Sequence, residues 1–242
     1  MQKFLREYRY TLLLMAVTAI GITVTGVLFR QAAIRMIPLY VSLIISLMHT
    51  RAIRYAHLMG CINVIWYGFV NLYYGLIASA MFCFFFSCPV QLATFLNWQK
   101  HRYGASTTFK KLRTGWRFGI AVAFLAAWVC LAAVLRALGS AHQILDNTAT
   151  LSGILVSLLV MLSFIEHAPL RVVDSLLNIA LMLGVVLGGQ PEQIPYVIYN
   201  TYALICVTIG AVRTLALYKE QQAALAKGEH DENSLGQKTE CR

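Results

Sequence analysis

Residues Tyr55 to Gln99 read YAHLMGCINVIWYGFVNLYYGLIASAMFCFFFSCPVQLATFLNWQ, 45 consecutive positions without a Lys, Arg, Asp or Glu. A helix covers the hydrocarbon core of a bilayer with about 20 mainly apolar residues. The stretch is therefore too long for one crossing and about right for two. Asn71-Leu-Tyr-Tyr-Gly75 offers the break, because Asn and Gly supply turn chemistry and Tyr favours the membrane interface. Two spans follow, at 53–71 and 76–98.

Working outward, Tyr10 to Phe29 carries no charge and reads as a first span. The basic start before it looks like that of a signal peptide. No small-residue cleavage site leads into a polar mature domain, so the span is expected to be retained. Met36 to Thr50, with Pro38 inside, is a short second span. Beyond Gln99 comes a polar segment to Arg117, and then apolar runs at 117–137, 147–165, 170–189 and 193–216. The polar tail from Tyr218 is expected to be a frayed helix and then disorder. The fold class is an all-α polytopic membrane protein with eight transmembrane helices.

Composition agrees. Of 242 residues, 59% are hydrophobic and 12% are charged, against roughly 25% charged in an ordinary soluble domain. A soluble nucleic-acid binder with a net charge of +10 would need far more charges to stay hydrated, and a disordered chain would be far less apolar. Five of the six Cys lie in apolar runs and Cys241 in the tail, none with CxxC spacing, so they read as small buried hydrophobes.

The positive-inside rule checks the count. With both termini cytoplasmic, that side holds the basic residues of the N-terminal segment, Arg51, Arg54, the six of the 99–117 segment, Arg171 and the five from Arg213 onward. These are 17 of the 20, leaving Arg30, Arg35 and Arg136 outside.

Val41-Ser42-Leu43 recurs as Val156-Ser157-Leu158, an offset of 115, and Asn63 recurs at the same offset as Asn178. An internal repeat places an N-terminal helix at 1–32 and a first three-helix bundle at 33–98. A basic cytoplasmic loop (99–116), a linker helix (117–140), a second bundle (141–217) and a cytoplasmic tail (218–242) follow. One linker helix makes the repeats parallel, the 3+1+3 arrangement associated with SWEET-like folds.

Ile37-Pro38-Leu39-Tyr40-Val41-Ser42-Leu43, Arg54-Tyr55-Ala56, Gly60-Cys61-Ile62-Asn63, Tyr74 to Ser79, Phe86 to Gln91, Leu145-Asp146-Asn147-Thr148 and Pro191 to Ile194 together resemble the PnuC family of bacterial vitamin transporters, in particular its Gram-positive-type branch. The resemblance spans roughly residues 30–220. It implies a SWEET-like fold, often a homotrimer, in the bacterial cell membrane. It further implies uptake of nicotinamide riboside, or of thiamine or another nucleoside-like vitamin, by facilitated diffusion with intracellular phosphorylation trapping the solute. The family's W-x-x-W-x-x-x-N motif is similar to Arg171-Val-Val-Asp174-Ser-Leu-Leu-Asn178 here. Asn is kept, but Arg171 and Asp174 replace the two tryptophans, which leaves the particular substrate open.

Ionisable groups at membrane depth are costly and therefore functional suspects. Asp174 lies four residues before Asn178, on one helical face. It either faces a cationic ligand ring or pairs with Arg171 as a structural ion pair. Asn63 and Asn178 lie near mid-span, where a buried amide must bond either ligand or a neighbouring helix. Trp66 shares the Asn63 face. Gln91 follows Pro89 and either meets substrate or caps a freed carbonyl. Tyr196, Tyr199 and Tyr202, with Asn200 beside them, form a polar aromatic stripe on span eight, which could stack on a flat ring or simply pack.

Asp146 and Glu192 read as helix caps, and Glu166-His167 as an interfacial pair. The expected binding set is thus Asn178, Asp174, Asn63, Trp66, Gln91, Tyr199, Asn200 and Tyr202. No catalytic or metal motif occurs, so neither an enzyme nor a cofactor is expected. The expected partners are a small-molecule substrate and the lipid bilayer, with no nucleic acid. A non-transporting receptor or assembly subunit is the competing reading, and it requires a packed interface without a cavity.

Overall fold

The computed structural model describes residues 2–73, 83–137 and 143–240. Outside them lie the Gly75 end of the expected turn, the first part of the fourth span, the end of the linker helix and Cys241. The side chain of Asp146 is also outside the described set. Eight α-helices occur among the described residues: α1 Gln2–Leu28, α2 Ala33–His49, α3 Tyr55–Tyr73, α4 Cys88–Lys100, α5 Thr114–Ala137, α6 Gln143–Met161, α7 His167–Leu187 and α8 Ile194–Glu240. Arg9–Leu28, Thr114–Ala133, His167–Leu187 and Pro191–Ala226 are long and apolar enough to cross a membrane. Ala33–His49, Tyr55–Val70 and Asn147–Met161 are shorter apolar helices.

Helix α3 packs on α2 and α4, while α7 packs on α6 and α8. The two sets meet where α2 touches α8 and where α4 touches α6. Helix α1 lies against α8 and α2, and α5 against α6. The cause is visible in the stripes. Met36, Leu39, Leu43 and Ser46 of α2 recur at helical spacing and are buried, with Leu39 and Leu43 packed on Ile22, Tyr202 and Cys206. Leu13, Val17, Ile20 and Val24, on the other side of α1, are exposed. Helix α5 is apolar all round, with Phe118 and Leu125 open, as suits a helix bathed in lipid.

Two prolines shape the first set. Pro38 has no N–H, so the carbonyl of Ile34, one turn earlier, loses its helical donor. The indole Nε1 of Trp66 reaches that carbonyl at 3.4 Å. Pro89 sits in the first turn of α4, directly after a π-helical turn at Cys83–Ser87. A wider turn there accommodates the ring against the carbonyl four residues back.

The basic segment, expected to be a loop, is folded. Arg102–Tyr103 pairs antiparallel with Ser106–Thr107 across Gly104, whose φ of +56° suits the turn. Arg54 holds the hairpin, its Nη1 donating to the Gly104 carbonyl at 2.9 Å. Lys110 then exchanges backbone hydrogen bonds with the α6–α7 connection, to Ser163 O (2.9 Å) and from Ile165 N (2.8 Å). Phe109 enters a core with Trp98, Val156, Val160 and Leu217. Gln221 of α8 completes the clasp: its Oε1 accepts from Phe109 N and its Nε2 donates to Thr107 O, both at 2.9 Å. The tail also departs from expectation. The backbone of α8 stays helical to Glu240; its Glu220–Lys227 run of Ala, Gln, Glu, Lys and Leu favours helix without an apolar face.

Candidate functional site

A cavity of about 420 Å³ lies between α3 and α4 on one side and α6 and α7 on the other. Arg171, Asp174 and Asn178, at i, i+3 and i+7, place one face of α7 along it. Ser87, Gln91 and Thr94 do the same from the π turn and α4, and Gly153 and Ser157 from α6. His57 lines it from α3.

Several polar wall groups are held by neighbours. Ser152 Oγ donates to the Asp174 carboxylate. Ser152 itself faces a second, largely apolar space of about 410 Å³ among α5, α6 and α7, so this pair forms part of the partition between the two. Asn178 Nδ2 donates to the Asp174 backbone carbonyl at 2.9 Å, which leaves the rest of the amide for the cavity. His57 Nδ1 lies 3.0 Å from Gln91 Oε1 and is the donor, since that oxygen can only accept.

Below the cavity, toward the basic-loop end, aromatic and imidazole rings form a layer. Ring centroids lie 5.2 Å apart for His49 and His57, 4.7 Å for His57 and Trp98, 5.8 Å for Trp98 and Phe109, and 5.8 Å for Phe109 and His167. Trp98 Nε1 donates to Val160 O at 2.9 Å, which fixes the layer to α6. Arg171 lies between the cavity and a space of about 20 Å³ bordered by His49, Trp98, His167 and Gly210.

Of the expected binding set, Asp174, Asn178 and Gln91 meet in this cavity. The others lie elsewhere. Asn63 is buried and donates to Ser42 Oγ (2.8 Å) and Pro38 O (3.3 Å), tying α3 to α2. Trp66 is engaged with Ile34, as above. Tyr199 Oη lies 3.5 Å from Ser46 Oγ, and Tyr202 Oη donates to Leu43 O at 3.2 Å in the α2–α8 core. Asn200 is half-buried on α8, outside the cavity lining.

Three smaller expectations are corrected. Among the described residues Arg171 and Asp174 make no close ion pair: Arg171 Nη1 lies 3.4 Å from His49 Nδ1 and Asp174 accepts from Ser152 Oγ, while the two charges stay one turn apart on the same face of α7. Glu166 pairs with Arg117 at 2.6 Å and accepts from Leu112 N rather than facing His167, whose Nδ1 turns to Phe164 O. Gln91 bonds His57 rather than a freed carbonyl.

Sequence reasoning missed His57, Ser87, Arg171 and Ser157 as wall residues. The 115-residue offset carried a signal for two of them. It aligns Ser157 with Ser42, and it aligns Ser87 and Gln91 of the α4–α6 contact with Tyr202 and Cys206 of the α2–α8 contact. Tyr202 and Cys206 are fully buried and fill their contact. A small hydroxyl and an amide at the corresponding places leave the other contact open. Among the described residues no cluster of three or more His, Cys, Asp or Glu could hold a metal ion.

A family model described as nicotinamide mononucleotide transporter matches residues 32–216, well over half of the chain. No curated protein matches in sequence. The chain's fold is similar to the crystal structure of the vitamin B3 transporter PnuC, with a TM-score of 0.70 at 19% identity, covering 87% of this chain and 92% of that one. At that identity the likeness speaks for the fold.

Proposed function

This chain belongs to the nicotinamide mononucleotide transporter family, and from that premise we propose that it takes up nicotinamide riboside or a related nucleoside-like vitamin by facilitated diffusion. The observation that carries the reading is the polar cavity between the two helix sets of an otherwise apolar chain. Its roughly 420 Å³ falls within the usual size of small-molecule sites, about 300–1,000 Å³. A receptor or assembly subunit without transport would call for a packed interface there instead.

In this proposal the bundles at 33–98 and 141–217 rock about the cavity, with 117–140 as the linker between them. The layer of His57, Trp98, Phe109 and His167 is the barrier on the cytoplasmic side, and it separates when that side opens. Asp174 faces the cationic ring of the solute, and the free part of the Asn178 amide meets a sugar hydroxyl. Gln91 contributes its NH2, held in place by His57. Asn63 and Trp66 support the fold of the first bundle. Tyr199, Asn200 and Tyr202 stiffen α8 against α2 rather than touching solute. The protein acts as a homotrimer in the bacterial cell membrane with both termini in the cytoplasm, where phosphorylation traps the solute.

The test is uptake of labelled nicotinamide riboside and thiamine by liposomes holding the purified protein, with no ion gradient imposed. Saturable uptake of one of them, or of another nucleoside-like vitamin in a panel, is expected. Absence of saturable uptake across the panel would refute the carrier reading. Asp174→Asn should weaken a cationic solute more than a neutral one of the same shape, and an equal effect on both would remove Asp174 from charge recognition.

A further inference from the structure

The second space, of about 410 Å³, lies behind the wall of the solute cavity. Helices α5 and α7 both pack on α6, and the space is the wedge between them. Its sides are Phe124 of α5, Leu155 and Leu159 of α6, and Leu170, Val173 and Leu177 of α7. The polar groups that line it are already engaged. Thr148 Oγ1 accepts from Trp128 Nε1 at 3.0 Å and donates to Ile144 O at 2.6 Å. Ser152 Oγ donates to Asp174, and Glu166 holds Arg117 and Leu112 N. Such an interior suits a hydrocarbon chain and disfavours a polar solute, whose own groups would go unpaired.

The depth of the wedge matches one leaflet. From Glu166 to Leu177 the α7 side rises about 16 Å, at about 1.5 Å per residue. Half of a bilayer's hydrocarbon core is about 15 Å. Trp116, 68% exposed at the start of α5, is of a residue type that settles at headgroup level. It therefore sets the Arg117–Glu166 end of the wedge at the membrane surface. The mouth there is basic. Leu112 and Arg117 line it, and Lys111 and Arg113 are exposed on either side of Leu112. Glu166, the acidic side chain of the lining, offsets one of these three positive charges. A basic patch at the interfacial end of an apolar wedge between helices complements an anionic lipid headgroup above its own acyl chain.

We propose that the wedge among α5, α6 and α7 is a binding site for an anionic phospholipid. One acyl chain lies between α5 and α7, and the phosphate meets Lys111, Arg113 and Arg117. The chain rests against Ser152, the residue that holds Asp174, so the bound lipid braces the back of the solute cavity. Binding of the lipid requires no transport and is tested apart from the carrier reading.

The full-length protein in a neutral detergent is titrated with three probes. Phosphatidylglycerol is the anionic lipid, phosphatidylcholine with the same chains is the zwitterionic one, and glycerol 3-phosphate is the anion without a chain. The readouts are the melting temperature and the lipid retained on the protein in native mass spectrometry. Phosphatidylglycerol should reach half-maximal stabilisation at a concentration about tenfold below that of phosphatidylcholine. Glycerol 3-phosphate should not stabilise. Lys111→Gln combined with Arg113→Gln should bring phosphatidylglycerol to the level of phosphatidylcholine. Ala121→Phe, which puts a ring into the wedge from an exposed position of α5, should weaken phosphatidylglycerol about tenfold. Should the Phe variant fail to fold, the wild-type ranking and the surface variant still decide.

Equal action of the two lipids, or full action of glycerol 3-phosphate alone, would overturn the inference. Undiminished phosphatidylglycerol binding by a folded Ala121→Phe variant would do the same. If that variant instead splits an oligomer seen by light scattering while lipid retention is unchanged, a second copy covers the wedge and the inference falls.

Discussion

Gln221 lies far from the cavity, yet its side chain acts as a short piece of backbone. Its Oε1 and Nε2 satisfy Phe109 N and Thr107 O, both at 2.9 Å, where Thr107 is fully buried and Phe109 nearly so. Gln221→Leu keeps most of the volume and removes both partners. Each buried backbone group left unpaired costs about 1–3 kcal/mol, and the added apolar burial of Leu returns part of that. The net loss worked from these terms is about 2–4 kcal/mol, concentrated on the attachment of the hairpin and the following strand to α8.

At about 1.4 kcal/mol per factor of ten, the opened state of the segment should rise roughly 30- to 700-fold. Lys110, Lys111 and Arg113 are exposed side chains on this segment, so limited trypsinolysis in detergent reports its opening. Where cleavage tracks the open population, the variant should be cut at least about tenfold faster within 110–113. Cleavage within twofold of the parent would refute the idea that Gln221 fastens the segment.

Other expectations follow from single contacts. A Cβ at Gly210 would stand 2.5 Å from the His49 carbonyl oxygen, so Gly210→Ala should push α8 away from the end of α2. It should cost about 1–3 kcal/mol, read as a lowered melting temperature in detergent; an unchanged value would mean that the helices can separate freely. Asn63→Leu should lose about 1–2 kcal/mol of stability by removing its bonds to Ser42 Oγ and Pro38 O, which tie α3 to α2, while the solute ranking in uptake stays as in the parent. A changed ranking would place Asn63 at the solute. Ser87→Phe should fill the cavity much as Tyr202 fills the corresponding contact. Uptake should fall at least about tenfold with stability near that of the parent, and full uptake would show that solute does not pass this wall.

The membrane class and the eight helices are written in one-dimensional patterns. Apolar length decides what can cross a bilayer, and a residue carries its hydropathy wherever it ends up. The uncharged run at 55–99, the apolar runs of α1 and α5 and the location of the basic residues could all be read without coordinates. Asp174 and Asn178 could be singled out for the same reason, since a polar group at mid-span is costly in any fold and four residues always return to one helical face.

What separated Gln91 from Asn63, or Tyr202 from Ser87, was packing. All are polar groups on apolar helices, and which of them meets a cavity depends on the helix that lies opposite. Asn63 finds Ser42 and the Pro38 carbonyl, Trp66 finds the carbonyl freed by Pro38, and Tyr202 fills the α2–α8 contact. The α4–α6 contact, with a smaller residue at the corresponding place, stays open. The folding of the basic segment onto Gln221, and the contact of Arg171 with His49, are likewise settled between residues more than 40 positions apart. The sequence alone determined which segments enter the membrane, because that depends on each segment and its solvent. Only the tertiary structure decided which polar groups are satisfied by the protein and which are left for a ligand, because that depends on the partner across the interface.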